Sequence, residues 1–140
     1  MHPIEILLVE DNPGDIRLTE EALKEARVSN HLNIAKDGEQ AIAFLTNKTG
    51  ANPFPDLILL DLNLPRVSGI EVLDHIKGND RLKKIPVVIL TTSQAEQDIV
   101  STYNLHANCY INKPVDFDKF IRVVKMIEDF WLSIVKLPPK

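Results

Sequence analysis

Residues 56–69, DLILLDLNLPRVSG, decide how the chain is built. Four consecutive aliphatic residues, 57–60, lie between Asp56 and Asp61. Asn63, Pro65, Ser68 and Gly69 follow, the residue types of a turn that leads into a helix. A strand with one face in water alternates apolar and polar side chains. An uninterrupted apolar run this short belongs instead to a strand covered on both faces, as in a parallel sheet.

Working outward, three more runs have the same character. They are IEILLV at 4–9, PVVIL at 86–90 and NCYI at 108–111, alongside DLILL at 56–60. HLNIAK at 31–36 alternates and reads as a strand near a sheet edge. Helical patterns fill the gaps. Asn12-Pro13 is an N-cap followed by proline in the first turn. Ile16, Leu18, Ala22, Leu23 and Ala26 then form an apolar face. Residues 39–46 repeat this with Ala41, Ile42, Phe44 and Leu45, and residues 70–76 follow a Ser68-Gly69 start. Ser93 caps a fourth helix over 94–105, and 115–137 is the longest candidate. Five strand-helix alternations predict an α/β fold, a doubly wound five-stranded parallel sheet of order 2-1-3-4-5. The stretch 47–55, with Gly50, Pro53 and Pro55, reads as a loop too short to separate domains.

Composition agrees with that architecture. A chain of 140 residues fits one domain, 1–140. With 16 Lys and Arg against 20 Asp and Glu, the net charge is −4, which argues against nucleic acid as a partner. Apolar residues at 44% are enough to build a core, which argues against disorder. Cys109 is the sole cysteine, which rules out an internal disulfide and suits a reducing compartment. No stretch approaches the roughly 20 apolar residues of a membrane helix. The apolar run at 4–9 is too short for a signal peptide core. The expectation is a cytoplasmic protein without membrane association.

In an open parallel sheet, ligands bind outside the carboxyl ends of the strands. Glu10-Asp11, Asp61, Thr91 and Lys113 stand at four of those ends. Each alone has an ordinary reading. Glu10-Asp11 could cap a helix, Asp61 could serve a turn, and Thr91 could be a strand-end hydroxyl. Lys113 could be a solvated lysine. Their convergence on one crevice is what carries weight. Three carboxylates crowded there repel one another, and a divalent cation removes the conflict. Hard oxygen ligands match Mg²⁺, and no Cys/His cluster argues for zinc. A carboxylate beside Mg²⁺, a hydroxyl and a lysine suits phosphoryl transfer to that carboxylate.

The set VEDNPGD, LILLDLNLPRVSG, PVVILTTS and NCYINKPVDF resembles the receiver domain of two-component response regulators across essentially the whole chain. NPGDIRLTEEAL and KPVDF look like the small receivers that partner bacterial and cyanobacterial phytochrome-type histidine kinases. The resemblance implies a flavodoxin-like (βα)5 fold and a set of roles. Asp61 would accept the phosphoryl group from a histidine kinase or phosphotransfer protein. Asp11 and Asp61 would bind Mg²⁺ with the Asn63 main-chain carbonyl, and Glu10 would act through a metal-bound water. Thr91 and Lys113 would contact the phosphoryl group, helped by the N–H groups of Leu62 and Thr92. Tyr110 would turn inward when Thr91 moves. Lys113–Pro114 would be a cis peptide that aims the lysine. Such a protein assists its own phosphorylation and dephosphorylation and is not a turnover enzyme.

Three positions depart from the family pattern. Glu10 stands where Asp is frequent, a change that preserves metal binding. Thr92 replaces a smaller residue, and its bulk would restrict water and alter the phosphoryl lifetime. His106 stands where glycine often ends the fourth helix.

With no DNA-binding segment expected after the fifth helix, output is expected through protein contacts, or the domain passes the phosphoryl group onward. On that helix Phe117, Phe120, Ile121, Val124, Ile127, Trp131 and Ile134 form a core stripe. Val123, Met126, Phe130 and Leu137 form an adjoining one. The arc is wider than one sheet-facing side needs. It predicts a homodimer through the fourth and fifth helices, with Val123, Met126, Phe130 and Trp131 in the interface.

Competing readings are a haloacid-dehalogenase-like phosphatase, a flavodoxin-like nucleotide binder and a degenerate receiver used only for binding. The first normally has a second Asp two residues after the nucleophile, where this chain has Asn63. The second lacks a glycine-rich phosphate loop. Asp61, Thr91 and Lys113 argue against the third. His2, His31, His75 and His106 lack metal spacing and read as surface or cap residues. Cys109 reads as a small buried apolar residue.

Overall fold

The computed structural model describes residues 4–25, 29–46, 54–62, 64, 67–91 and 109–112, with Asp118 and Arg122. Their elements are β1 (Ile4–Val9), α1 (Pro13–Glu25), β2 (Asn30–Ala35), α2 (Gly38–Thr46) and β3 (Leu57–Asp61). After these come α3 (Gly69–Lys77), a short 3₁₀ turn (Leu82–Lys84), β4 (Val87–Thr91) and β5 (Cys109–Asn112). Five strands form one sheet in the order β2-β1-β3-β4-β5. Every adjacent pair is parallel. The expected order is therefore the observed one, with the alternating strand at an edge.

The core explains why the strand sequences do not alternate. Leu7, Val9, Ile58, Leu60, Val87 and Ile89 belong to one apolar cluster, closed by Ala41 and Leu45 of α2 and by Val72, Leu73 and Ile76 of α3. Their neighbours Ile6, Leu8, Leu57, Leu59, Val88 and Leu90 belong to the other, closed by Ala22 and Leu23 of α1. Successive side chains point to opposite faces, and both faces are covered. The buried middle of each of these strands is therefore apolar on both faces, with polar residues near the ends.

Several boundaries shift by one residue. β3, β4 and β5 begin and end one residue later than their apolar runs, and β2 begins and ends one earlier. Pairing with the neighbours, not hydropathy, decides where a ladder stops. Asp61 pairs with Leu90, and Thr91 with Asn112. These polar residues are thus the last residues of their strands.

The first helix is also turned from its expected face. Leu18 is 36% exposed, whereas Thr19 is buried. The Thr19 hydroxyl donates to the Asp15 carbonyl at 2.9 Å, so its burial leaves its donor satisfied. The caps follow expectation. Asn12 Oδ1 accepts from the Asp15 N–H at 3.0 Å, and Ser68 Oγ accepts from the Glu71 N–H at 3.2 Å. His31 is exposed, but His75 is half-buried on α3, with its Nε2 shielded from solvent. Residues 92–108 and the stretches 113–117, 119–121 and 123–140 lie outside the described residues. So do almost all of the expected fourth and fifth helices.

Candidate phosphoacceptor and metal site

The sheet register assembles the site. Val9 pairs with Leu60, so the chain leaves β1 at Glu10 beside Asp61, the last residue of β3. Glu10 is fully buried and Asp61 is 2% exposed, while Asp11 is open to solvent. One carboxylate oxygen from each lies within 4.8 Å of the others. It is the only such cluster of possible metal ligands among the described residues.

Local structure holds each member. The Glu10 N–H donates to the Ala35 carbonyl at 3.0 Å, tying the end of β1 to the end of β2. Glu10 Oε2 accepts from the Asn12 N–H at 3.3 Å, which turns its carboxylate toward the start of α1. Asn12 also caps that helix, so one turn both starts α1 and orients Glu10. Asp61 is held by the β3–β4 ladder, and the Leu62 N–H continues the ladder to the Leu90 carbonyl at 3.4 Å. In this structure that N–H, a candidate donor to a phosphoryl group, makes a long sheet bond.

Two buried carboxylates at this separation repel by on the order of 3 kcal/mol at an effective dielectric of ~20. A hard cation relieves that repulsion. Carboxylate oxygens gathered within 4.8 Å from three residues are close enough together to share one small, hard cation. The donor set is all oxygen, with neither the thiolates nor the imidazoles that favour zinc. The residues present therefore fit Mg²⁺ or Mn²⁺.

Thr91 ends β4, one residue beyond the partner of Asp61, and Asn112 stands beside it at the end of β5. The register thus brings the chain to within one residue of Lys113. Lys113, Pro114, Asn63, Thr92 and His106 lie outside the described residues. So do Val123, Met126, Phe130 and Trp131, while Tyr110 is described as a strand residue of β5.

Sequence reasoning missed how closely helices approach this site. Gly69 opens α3, and a Cβ there would overlap the Asp61 carbonyl oxygen and stand 2.5 Å from the Leu62 Cα. Its N–H donates to the Leu62 carbonyl at 3.2 Å. Only glycine allows that approach. The Ser68-Gly69 pair was legible as a helix start, but its contact with the aspartate was not.

Residues 6–125 match the response regulator receiver domain family. This chain belongs to that family. The receiver is 49% identical to the response regulator Rcp1 of Synechocystis sp. over 138 residues, 97% of this chain and 94% of Rcp1. Among solved structures, the phosphorylated cyanobacterial phytochrome response regulator RcpA is 49% identical with a TM-score of 0.77. That match covers 98% of this receiver and 99% of RcpA. The Mn²⁺-bound form of Rcp1 is 48% identical with a TM-score of 0.77, covering 97% and 99% of the two chains. The receiver is therefore a two-component signalling protein whose acidic pocket takes a divalent cation and whose class of partner is a histidine kinase. No helix among its described residues is long and apolar enough to cross a membrane.

Proposed function

We propose that Asp61 is the phosphoacceptor of a single receiver domain spanning 1–140, charged by a phytochrome-type histidine kinase or a phosphotransfer protein. The observation that carries this reading is the convergence of Glu10, Asp11 and Asp61 at the end of a strand whose other residues are apolar. A carboxylate oxygen of Asp61 attacks the phosphorus of a phosphohistidine. The O–P bond forms as the N–P bond breaks, and the imidazole nitrogen leaves with the electron pair. Water later attacks the same phosphorus and releases inorganic phosphate, restoring the carboxylate. The domain runs this cycle on itself and is not a turnover enzyme.

Asp11, Asp61 and the Asn63 carbonyl would hold Mg²⁺, with Glu10 acting through a water, and the bound cation would supply charge that offsets the acids and the incoming phosphoryl oxygens. Thr91 donates its hydroxyl to a phosphoryl oxygen, and the Lys113 ammonium pairs with another, aimed by a cis Lys113–Pro114 peptide. The Leu62 N–H gives up its long bond to Leu90, and with the Thr92 N–H it holds the same group. Burial of Asp61 limits the access of water to the acyl phosphate. Movement of Thr91 makes room for Tyr110, changing the face formed by β5 and the fourth and fifth helices. That face forms a homodimer through Val123, Met126, Phe130 and Trp131. The domain works in the cytoplasm without binding nucleic acid or membrane.

The resemblance to RcpA and Rcp1 supports the phytochrome pathway. The test is intact mass after incubation with Mg²⁺ and acetyl phosphate. One retained phosphoryl group is expected, and none in Asp61→Asn or with chelator. Repeated release of phosphate without an adduct would overturn the assignment. Sedimentation of Phe130→Glu beside wild type tests the dimer, which fails if both are monomers.

A further inference from the structure

A path of close contacts leads from the acid cluster through the start of α2 and back to Asp61. It starts where the Glu10 N–H meets the Ala35 carbonyl. Residues 36–40 follow as a reciprocal cap. Asp37 Oδ1 accepts from the Gln40 N–H at 2.8 Å, and Gln40 Oε1 accepts from the Lys36 N–H at 2.9 Å. Gly38 then opens α2 against Val67. A Cβ at 38 would overlap the Val67 carbonyl oxygen and stand 2.7 Å from the Val67 Cβ. Two residues on, Gly69 touches Asp61 and Leu62 in the same close manner. The path closes where the Asp61 carboxylate meets that of Glu10.

We propose that Gly38 is a positioning residue of the cation site. Its missing side chain seats α2 directly on Val67. Val67 sets the first turn of α3, and Gly69 transmits that setting to the Asp61 main chain. Neither glycine has a left-handed φ, so closeness rather than turn geometry requires them. A methyl at 38 meets main-chain atoms, which cannot rotate aside as a flexible side chain can, so the segment before α3 shifts. Mg²⁺ and Mn²⁺ bind through nearly fixed ligand geometry, so a displaced Asp61 lowers affinity although residue 38 touches no ligand. Helix propensity alone works the other way, because alanine favours α2.

The inference rests on reading Glu10, Asp11 and Asp61 as a cation site, and the test separates the two. Mn²⁺ binding to the full chain is measured by electron paramagnetic resonance for wild type, Gly38→Ala and Gly78→Ala. Gly78 caps the opposite end of α3, where a Cβ would stand 3.2 Å from the Asp74 carbonyl oxygen. Gly38→Ala is expected to raise the Mn²⁺ Kd about 10-fold. Gly78→Ala is expected to leave it unchanged. In metal-free protein, Gly38→Ala should speed amide exchange at Leu62 and Gly69, whereas Gly78→Ala should not. Gln40→Ala, an exposed change that opens the reciprocal cap, should weaken Mn²⁺ by a smaller factor. A folded Gly38→Ala with wild-type Kd overturns the inference alone. If that variant does not fold, a wild-type Kd in Gln40→Ala overturns it. Wild type that binds no Mn²⁺ overturns the cation site and this inference together.

Discussion

The two ends of the sheet handle acidic side chains in opposite ways. At the amino ends, Asp56 Oδ2 accepts from the Glu5 N–H at 2.9 Å, and Glu5 Oε1 faces His31 Nδ1 at 2.9 Å across the β1–β2 pair. These carboxylates stand apart from one another, and their contacts fasten strands. At the carboxyl ends, three carboxylates share one volume. Carboxylates that fasten a fold are dispersed among separate contacts. Carboxylates that bind a cation are concentrated, because the cation supplies the opposite sign.

The sharpest way to break this comparison is to remove one acid at each end. Asp61→Asn should abolish phosphoryl uptake from acetyl phosphate by intact mass, whereas Asp56→Asn should retain it. Uptake by Asp61→Asn equal to wild type would erase the difference between the ends. Next in size is a change that weakens both together. Leu59 is fully buried in the central strand, so Leu59→Ala should cost about 2–5 kcal/mol in urea unfolding. Its effect on uptake under folding conditions should be small by comparison. Asp56→Ala removes the acceptor of the Glu5 N–H and should cost about 1–2 kcal/mol while leaving Mn²⁺ affinity unchanged. Ser68→Ala removes the cap of α3 and should cost about 1 kcal/mol by the same measurement.

The smallest effect concerns Lys77, whose pKa burial pushes below its ordinary value. Between the folded and unfolded pKa the unfolded chain binds more protons, so wild-type stability rises with pH through that window. Lys77→Gln should therefore be slightly more stable than wild type at pH 7. That gain should shrink as pH climbs toward the unfolded lysine pKa. A constant difference between the two proteins across this range would show that the burial of Lys77 carries no charge penalty.

Local sequence was most informative where the fold makes one demand of every residue. The runs through Leu57, Ile58, Leu59 and Leu60 had to be apolar throughout, so their meaning was plain. It was less informative where a demand could be met in two ways. Leu18 looked like a core residue and Thr19 did not, yet a hydroxyl bonded to its own helix can be buried at little cost. Strand limits were misplaced by one residue because the ladder at Asp61 and Thr91 is extended by the partner strand. Gly38 carried no local sign of its contact, since the residue it touches, Val67, belongs to a different connection.

By itself the sequence determined the layer architecture and the chemistry available at the strand ends. Continuous apolar runs admit only a sheet covered on both faces, and only certain side chains can accept a phosphoryl group. Tertiary structure decided that Glu10, Asp11 and Asp61 share one volume and that α2 abuts the segment leading into α3. Those outcomes depend on strand register and on helices packing against distant backbone. Both are set by long-range contacts that no stretch of the chain contains on its own.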